Sequence, residues 1–320
     1  MSPLDRRSIC ALVEQLDYLP LALELAAARL DTLSLDDLSH RLGERFTLLR
    51  SRGRDAQALG GALDWSWGML QPWTKAALSQ ASLFRGGFTL ASAEGVIEIG
   101  KDPKTPAMFD ILGELVDNSL LRKDQAESGG VRYSLLESVR EYAYYKLGDP
   151  GQMGPQLRGP EALIRAQHRY AEYFSHLGTP QALRALDGFD SDGRWEVLFS
   201  ELDNLVEAIG YGTAESASRC CLAALQVLAM KGPLSLCLDI AAQVLQRTGL
   251  SERSRMLVEI EHSKCLRISG RMAEARALVG TTSMPPLETD SAVLRLASER
   301  SEEDEDTLIY VRPSGTNTGE

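Results

Sequence analysis

Residues 108–135 read MFDILGELVDNSLLRKDQAESGGVRYSL, and along them the hydrophobic period changes from 3.6 to 2. Met108, Ile111, Leu112 and Leu115 recur at helical spacing. Beyond them Val131, Tyr133 and Leu135 alternate after a Gly129-Gly130 turn, opposite a short apolar run at Leu120-Leu121. Two such runs joined by the polar segment 124–130 predict a β-hairpin.

The sequence on either side supplies helices. Leu59, Leu63, Trp67 and Leu70 share one face, and Pro72 opens a helix containing Ala77, Ala81 and Phe84. Gly86-Gly87 breaks the chain, after which Thr89 is placed to cap a helix running through Ala93 and Val96. Past the hairpin, Val139, Tyr142, Ala143 and Leu147 form a last helix, stopped by Gly148 and Pro150. Helices followed by a hairpin and a closing helix have the order of a winged-helix domain, here over residues 58–150.

Residues 1–57 predict a small bundle of three helices. Ile9, Leu12, Val13 and Leu16 make one apolar stripe. Pro20 sits at a first helical position ahead of Leu21, Leu25 and Ala28, and Ser34 with Asp37 has capping-box spacing before Leu35, Leu38 and Leu42. Arg41, Arg45, Arg50, Arg52 and Arg54 follow and read as a solvated linker. After the breakers of 149–160 (Pro150, Gly151, Gly154, Pro155, Gly159, Pro160), residues 161–282 show only helical spacing. Leu163, Ala166, Tyr170, Phe174 and Leu177 step by three and four, as do Trp195, Leu198, Leu202, Leu205 and Ile209. Gly232 and Gly270 each separate two apolar helices, and on that offset Cys237 falls on Ala275. Helical pairs at this period suggest a tetratricopeptide-like α-solenoid. Residues 283–320 are expected to form an acidic, disordered tail, with six acidic residues and one arginine between 298 and 306. The fold class is thus mainly α: a helical bundle, a winged helix with one hairpin, and a solenoid.

The net charge of −11 divides as −1 over residues 1–57, −3 over 58–150 and −7 beyond. That balance opposes non-specific binding to nucleic acid or anionic membrane. Cys10, Cys220, Cys221, Cys237 and Cys265 lack CxxC spacing and read as reduced, mostly buried thiols. No signal-peptide or membrane-spanning run is legible, so the expected location is the cytoplasm.

Several runs together resemble the STAND-class regulatory ATPases, bacterial relatives of NB-ARC proteins, and more narrowly their transcription-regulator branch. They are LPLALELAAARL at 19–30, LGERF at 42–46, ALDWS at 62–66, LFRGGFT at 83–89, LVDNSLL at 115–121, RYSLLESVREYA at 132–143 and ELDNL at 201–205. The resemblance implies that residues 1–57 are the helical end of a nucleotide-binding region and that Pro20 lies near the adenine of bound nucleotide. Two residues before that proline the family commonly has glycine, where this chain has Tyr18. GxxxxGK[ST] occurs nowhere in the sequence, so no lysine or Ser/Thr of that loop is available for phosphates and Mg²⁺. The chain reads as the part of such a switch that follows its phosphate-binding half. It is expected to be no enzyme and to need no cofactor by itself, ATP or ADP belonging to full-length relatives.

The resulting expectation is a non-catalytic module that couples nucleotide state to a protein partner or inducer on the helical repeats, with self-association open. Direct DNA binding is argued against, because the helix before the hairpin carries Asp110, Glu114 and Asp117 with Lys104 just outside. The alternatives are an ATPase subunit completed by a separate P-loop chain, a direct DNA-binding regulator, and remotely a phosphohexomutase-like fragment suggested by RPSGT at 312–316. His168 and His176 have no nearby cysteine ligand, and Trp65, Ser66 and Trp67 read as packing on a helix rather than a site.

Overall fold

The computed structural model describes residues 54–100, 103–125, 130–149, 157–187 and 192–280, with isolated positions between 9 and 34. Pro20, the arginines at 41–52, and the tail with its RPSGT run lie outside the described residues.

Helices α1 (Arg54–Met69) and α2 (Pro72–Ala81) come first, and Leu63, Trp65, Trp67 and Leu70 are buried. Pro72 opens α2, where a missing N–H costs nothing. Helix α3 (Leu90–Val96) starts at a capping box: the Thr89 hydroxyl accepts the Ser92 N–H and the Ser92 hydroxyl accepts the Thr89 N–H. Helix α4 (Met108–Asp117) turns Met108, Ile111, Leu112 and Leu115 into the core, as its spacing requires. Strands β1 (Arg122–Gln125) and β2 (Val131–Ser134) pair antiparallel, with Arg122 opposite Ser134 and Lys123 opposite Tyr133. Phe88 adds a single bridge on the other side of β2, exchanging hydrogen bonds of 2.8 and 2.7 Å with Tyr133. Helix α5 (Glu137–Gly148) then packs back on α2 and α1; the Tyr142 hydroxyl donates to Asp64 at 2.6 Å, and Lys146 pairs with the same carboxylate at 2.9 Å.

The hairpin differs from its sequence expectation. Leu120 and Leu121 precede the first strand; both are buried, and both their N–H groups reach the Leu115 carbonyl at the end of α4. Ser119 makes this turn with φ 56°. The strand itself is the polar Arg122–Gln125, exposed at every residue.

Helix α6 (Pro160–Ser175) is tied to the winged helix by Arg158. That arginine is buried, donates from Nε to the Lys146 carbonyl at 2.7 Å, and lies 5.3 Å over the Trp67 ring. Helices α7 (Pro180–Arg184), α8 (Asp192–Ser200), α9 (Leu202–Tyr211), α10 (Ala214–Lys231), α11 (Leu234–Leu245), α12 (Glu252–Ile268) and α13 (Met272–Gly280) follow. From α9 onward each helix packs against the next. Gly232 and Gly270 occupy the turns before α11 and α13 with φ 69° and 79°, and the residues on their common offset, Cys237 and Ala275, are both buried. The helical spacing of 195–209 runs on without a break signal, and the structure divides it at Glu201 between α8 and α9.

The cysteines also depart from expectation. Cys237 and Cys265 form a disulfide between α11 and α12, with Cα atoms 6.6 Å apart, because the pairing of those helices brings the two side chains together. Cys220 and Cys221 are free and buried, and Cys10 is exposed.

Candidate nucleic-acid interface

Along α4 the core takes one face and leaves a short list of side chains outside. Phe109 is 60% exposed in the first turn, beside an exposed Asp110, and Asp117 is exposed in the last turn. Glu114 is not presented in the same way: its carboxylate accepts the Thr74 hydroxyl of α2 at 2.8 Å. Lys104 is exposed ahead of the helix, and Arg122 and Lys123 are exposed on β1 directly after it. Exposed cations therefore stand on both sides of α4 along the chain; in winged helices a helix enters a groove while neighbouring cations meet phosphates.

A polar junction joins the hairpin to the helical segment. Asn204, fully buried on α9, accepts from the Arg85 N–H at 2.9 Å, the Gly86 N–H at 3.3 Å and the Tyr170 hydroxyl at 2.8 Å. Its amide nitrogen donates to the Gly87 carbonyl at 2.9 Å and to the Glu201 carboxylate at 2.5 Å. Arg132 of β2 completes the junction. It pairs with Glu201 at 2.7 and 3.1 Å, and donates to the Gly86, Gly87 and Ser200 carbonyls at 2.8, 3.2 and 2.8 Å. The side chains of Arg132 and Glu201 are 16% and 8% exposed, so the pair is nearly dry. The helix break at Glu201 is what turns this carboxylate toward β2.

Backbone and rings support the same junction. Gly87 has φ +76°, and a Cβ there would stand 2.7 Å from the Tyr133 carbonyl oxygen, so only glycine lets the Phe88 bridge form. Phe84 stacks on Phe88 at 4.6 Å and meets Tyr170 edge-on at 5.3 Å, joining the bridge to α6. Burial raises the Tyr170 hydroxyl well above its ordinary pKa, so it stays a proton donor to Asn204.

The other sequence candidates have ordinary surroundings. Trp65 and Trp67 are buried, and Trp67 meets Tyr142 edge-on at 6.0 Å. His168 and His176 are exposed. Burial pushes the Cys220 thiol up to about 12 and raises Cys221 as well, which makes both poor nucleophiles. Among the described residues no helix is long and apolar enough to cross a membrane. Arg122, Lys123, Arg132, Glu201 and Asn204 were not singled out by sequence reasoning as site residues. Their available signal was an Arg-Lys pair between an apolar pair and a polar loop, together with the RYSLLE and ELDNL runs.

Comparison with known proteins bears on this geometry. Residues 70–147 match the family model described as a winged helix-turn-helix domain. A Mycobacterium tuberculosis (strain H37Rv) protein, whose name proposes an HTH-type transcriptional regulator, is 37% identical over 172 residues, covering 52% of this chain and 18% of its own length. A Mycobacterium bovis protein named in the same terms gives the same figures. An uncharacterized protein of the same M. tuberculosis strain is 34% identical over 179 residues, covering 54% of this chain and 42% of its own length. The chain thus spans less than half the length of these relatives. No solved structure matches.

The expectation against direct DNA binding is corrected by these findings. A winged helix-turn-helix domain similar to HTH-type regulators points toward DNA. The physical reason is that the charge reading counted all three carboxylates of α4 as outward and set only Lys104 against them. In the structure Glu114 is engaged by Thr74, while Arg122 and Lys123 stand exposed on the adjoining strand.

Proposed function

We propose that this chain is a non-catalytic, cytoplasmic regulatory segment of a transcriptional regulator, and that it contacts DNA through α4 and β1. The observation that carries the reading is the exposed Arg122-Lys123 pair directly after α4, inside the region that matches a winged helix-turn-helix domain. In this reading Lys104, Arg122 and Lys123 meet phosphates, and α4 faces the major groove. The helices from α6 onward, taken as tetratricopeptide-like pairs, offer the surface for a protein partner or inducer.

Fluorescence anisotropy with a labelled duplex across a salt series tests it. Three phosphate contacts give a slope of log K against log salt of about −2.7. Each of Arg122→Ala and Lys123→Ala brings the slope about one unit nearer zero. No binding at about 50 mM salt with protein at about 100 µM, the weak end of non-specific DNA affinity, overturns the proposal.

A second reading is favoured by one specific observation. The LFRGGFT, RYSLLE and ELDNL runs, which carry the STAND-class resemblance, all contribute to the Arg132–Glu201–Asn204 junction. In that reading the winged helix relays a nucleotide-dependent change to the helical segment. It predicts that disrupting the junction alters partner binding while leaving DNA affinity unchanged.

A further inference from the structure

The residues α4 presents to solvent have a chemical bias: among its exposed side chains none is a hydrogen-bond donor. Phe109 and Asp110 stand out from the first turn, where a recognition helix meets base edges, and Gly113 one turn on has no side chain to hold the helix away. Met108, Ile111 and Leu112 face the core, and Glu114 is taken by Thr74. The helix is therefore left with one carboxylate and one aromatic ring at its reading end. Asp110 has no partner among the described residues, so its oxygens are available as acceptors.

From this geometry we infer that α4 reads a pyrimidine edge: Asp110 accepts from the N4 amino group of cytosine, and Phe109 lies against the C5 methyl of a neighbouring thymine. The inference rests on the DNA-contact reading above and adds the sequence class. Guanine shows two acceptors in the major groove and repels a carboxylate. Adenine sets an acceptor beside its amino donor, and thymine shows an acceptor with its methyl. Cytosine alone offers a donor with no acceptor next to it. Arginine, lysine, asparagine or glutamine, the side chains that read guanine or adenine bidentately, are absent from 108–117. Phe109 and Asp110 are consecutive on one turn, which places the two pyrimidines within one or two base pairs.

The test is selection of the full chain against a duplex library with a randomised centre, run beside Asp110→Asn and Phe109→Ala. Both substituted residues are exposed, and circular dichroism confirms that each variant is folded. The expected result is enrichment of cytosine at one position with thymine beside it. Changing that cytosine to guanine lowers affinity roughly five- to a hundredfold. Asp110→Asn moves the enriched base from cytosine to adenine, because asparagine bonds N6 and N7 together. Phe109→Ala keeps the cytosine and loses the thymine. Enrichment of guanine or adenine by the unaltered chain, or a preference that Asp110→Asn leaves in place, overturns the inference. Binding with the expected salt slope but no enriched base also overturns it, and leaves the phosphate contacts of β1 standing. No binding at low salt overturns both.

Discussion

Replacing Asn204 by leucine keeps the branching and heavy-atom count of the side chain, with bulkier methyl ends, and removes the five hydrogen bonds that Asn204 makes in the junction. Three donors lose their only described acceptor: the buried Tyr170 hydroxyl and the partly buried N–H groups of Arg85 and Gly86. The Gly87 carbonyl and the Glu201 carboxylate retain Arg132. The buried orphan costs about 1–3 kcal/mol and each partly buried one, open to water, about 0.5, so the expected loss is about 3 kcal/mol. At about 2–4 °C per kcal/mol for a body of this size, Tm falls by about 6–12 °C. Urea unfolding followed by far-UV circular dichroism and tryptophan fluorescence measures it, with exposed Asp203→Leu as a control expected to change stability by less than about 0.5 kcal/mol. The two probes should separate in Asn204→Leu, because three of the four tryptophans (Trp65, Trp67 and Trp73) report the winged helix and only Trp195 the helical segment, while ellipticity reports every helix. A loss below about 1 kcal/mol, within the net worth of one ordinary hydrogen bond, would show that Asn204 does not hold the junction.

Three further outcomes are expected. Gly87→Ala sets a Cβ 2.7 Å from the Tyr133 carbonyl at a left-handed backbone position, and should lower stability by about 1–3 kcal/mol in urea melts; an unchanged midpoint contradicts the described bridge. Burial raises the Tyr170 pKa, so above pH 10 the unfolded chain loses this proton first. The stability associated with it is full below pH 10 and declines above it by up to about 1.4 kcal/mol per pH unit, and Tyr170→Phe should flatten that slope. Iodoacetamide applied to the native, unreduced protein near pH 8 should label exposed Cys10 and spare Cys220 and Cys221 until urea is added; native labelling of either buried thiol, read by mass spectrometry, contradicts their placement.

What the sequence disclosed follows from the range of each signal. Met108, Ile111, Leu112 and Leu115 mark α4 because burial on one face imposes a local period, and Thr89 marks the start of α3 because capping is decided within three residues. Strand β1 lacks such a signal: all four of its residues are exposed, so no apolar alternation exists, and the nearby Leu120-Leu121 pair instead closes the end of α4. The apolar rhythm of 195–209 runs straight through Glu201, where a polar demand from β2 overrides it. The junction joins residues up to 119 positions apart, and polar side chains carry no periodicity. Only the resemblance marked those runs, without saying that they meet. The DNA expectation failed for a similar reason, since the Glu114–Thr74 bond spans 40 residues and no count of charges along a helix reveals it.

The Arg132 ion pair makes the hairpin a geared part rather than a free one. Its guanidinium spans the Glu201 carboxylate and carbonyls from both sides of the joint, so β2 and the α8–α9 corner turn together. Releasing the hairpin alone leaves a charge buried without its partner, at about 3–5 kcal/mol, which keeps the disengaged form below about one molecule in a hundred. A signal arriving through the helical segment must then discriminate between engaged and disengaged forms by more than about a hundredfold to make them equal, and by about ten-thousandfold to reverse that ratio. Weakly selective ligands will bind such a segment and leave the wing where it is.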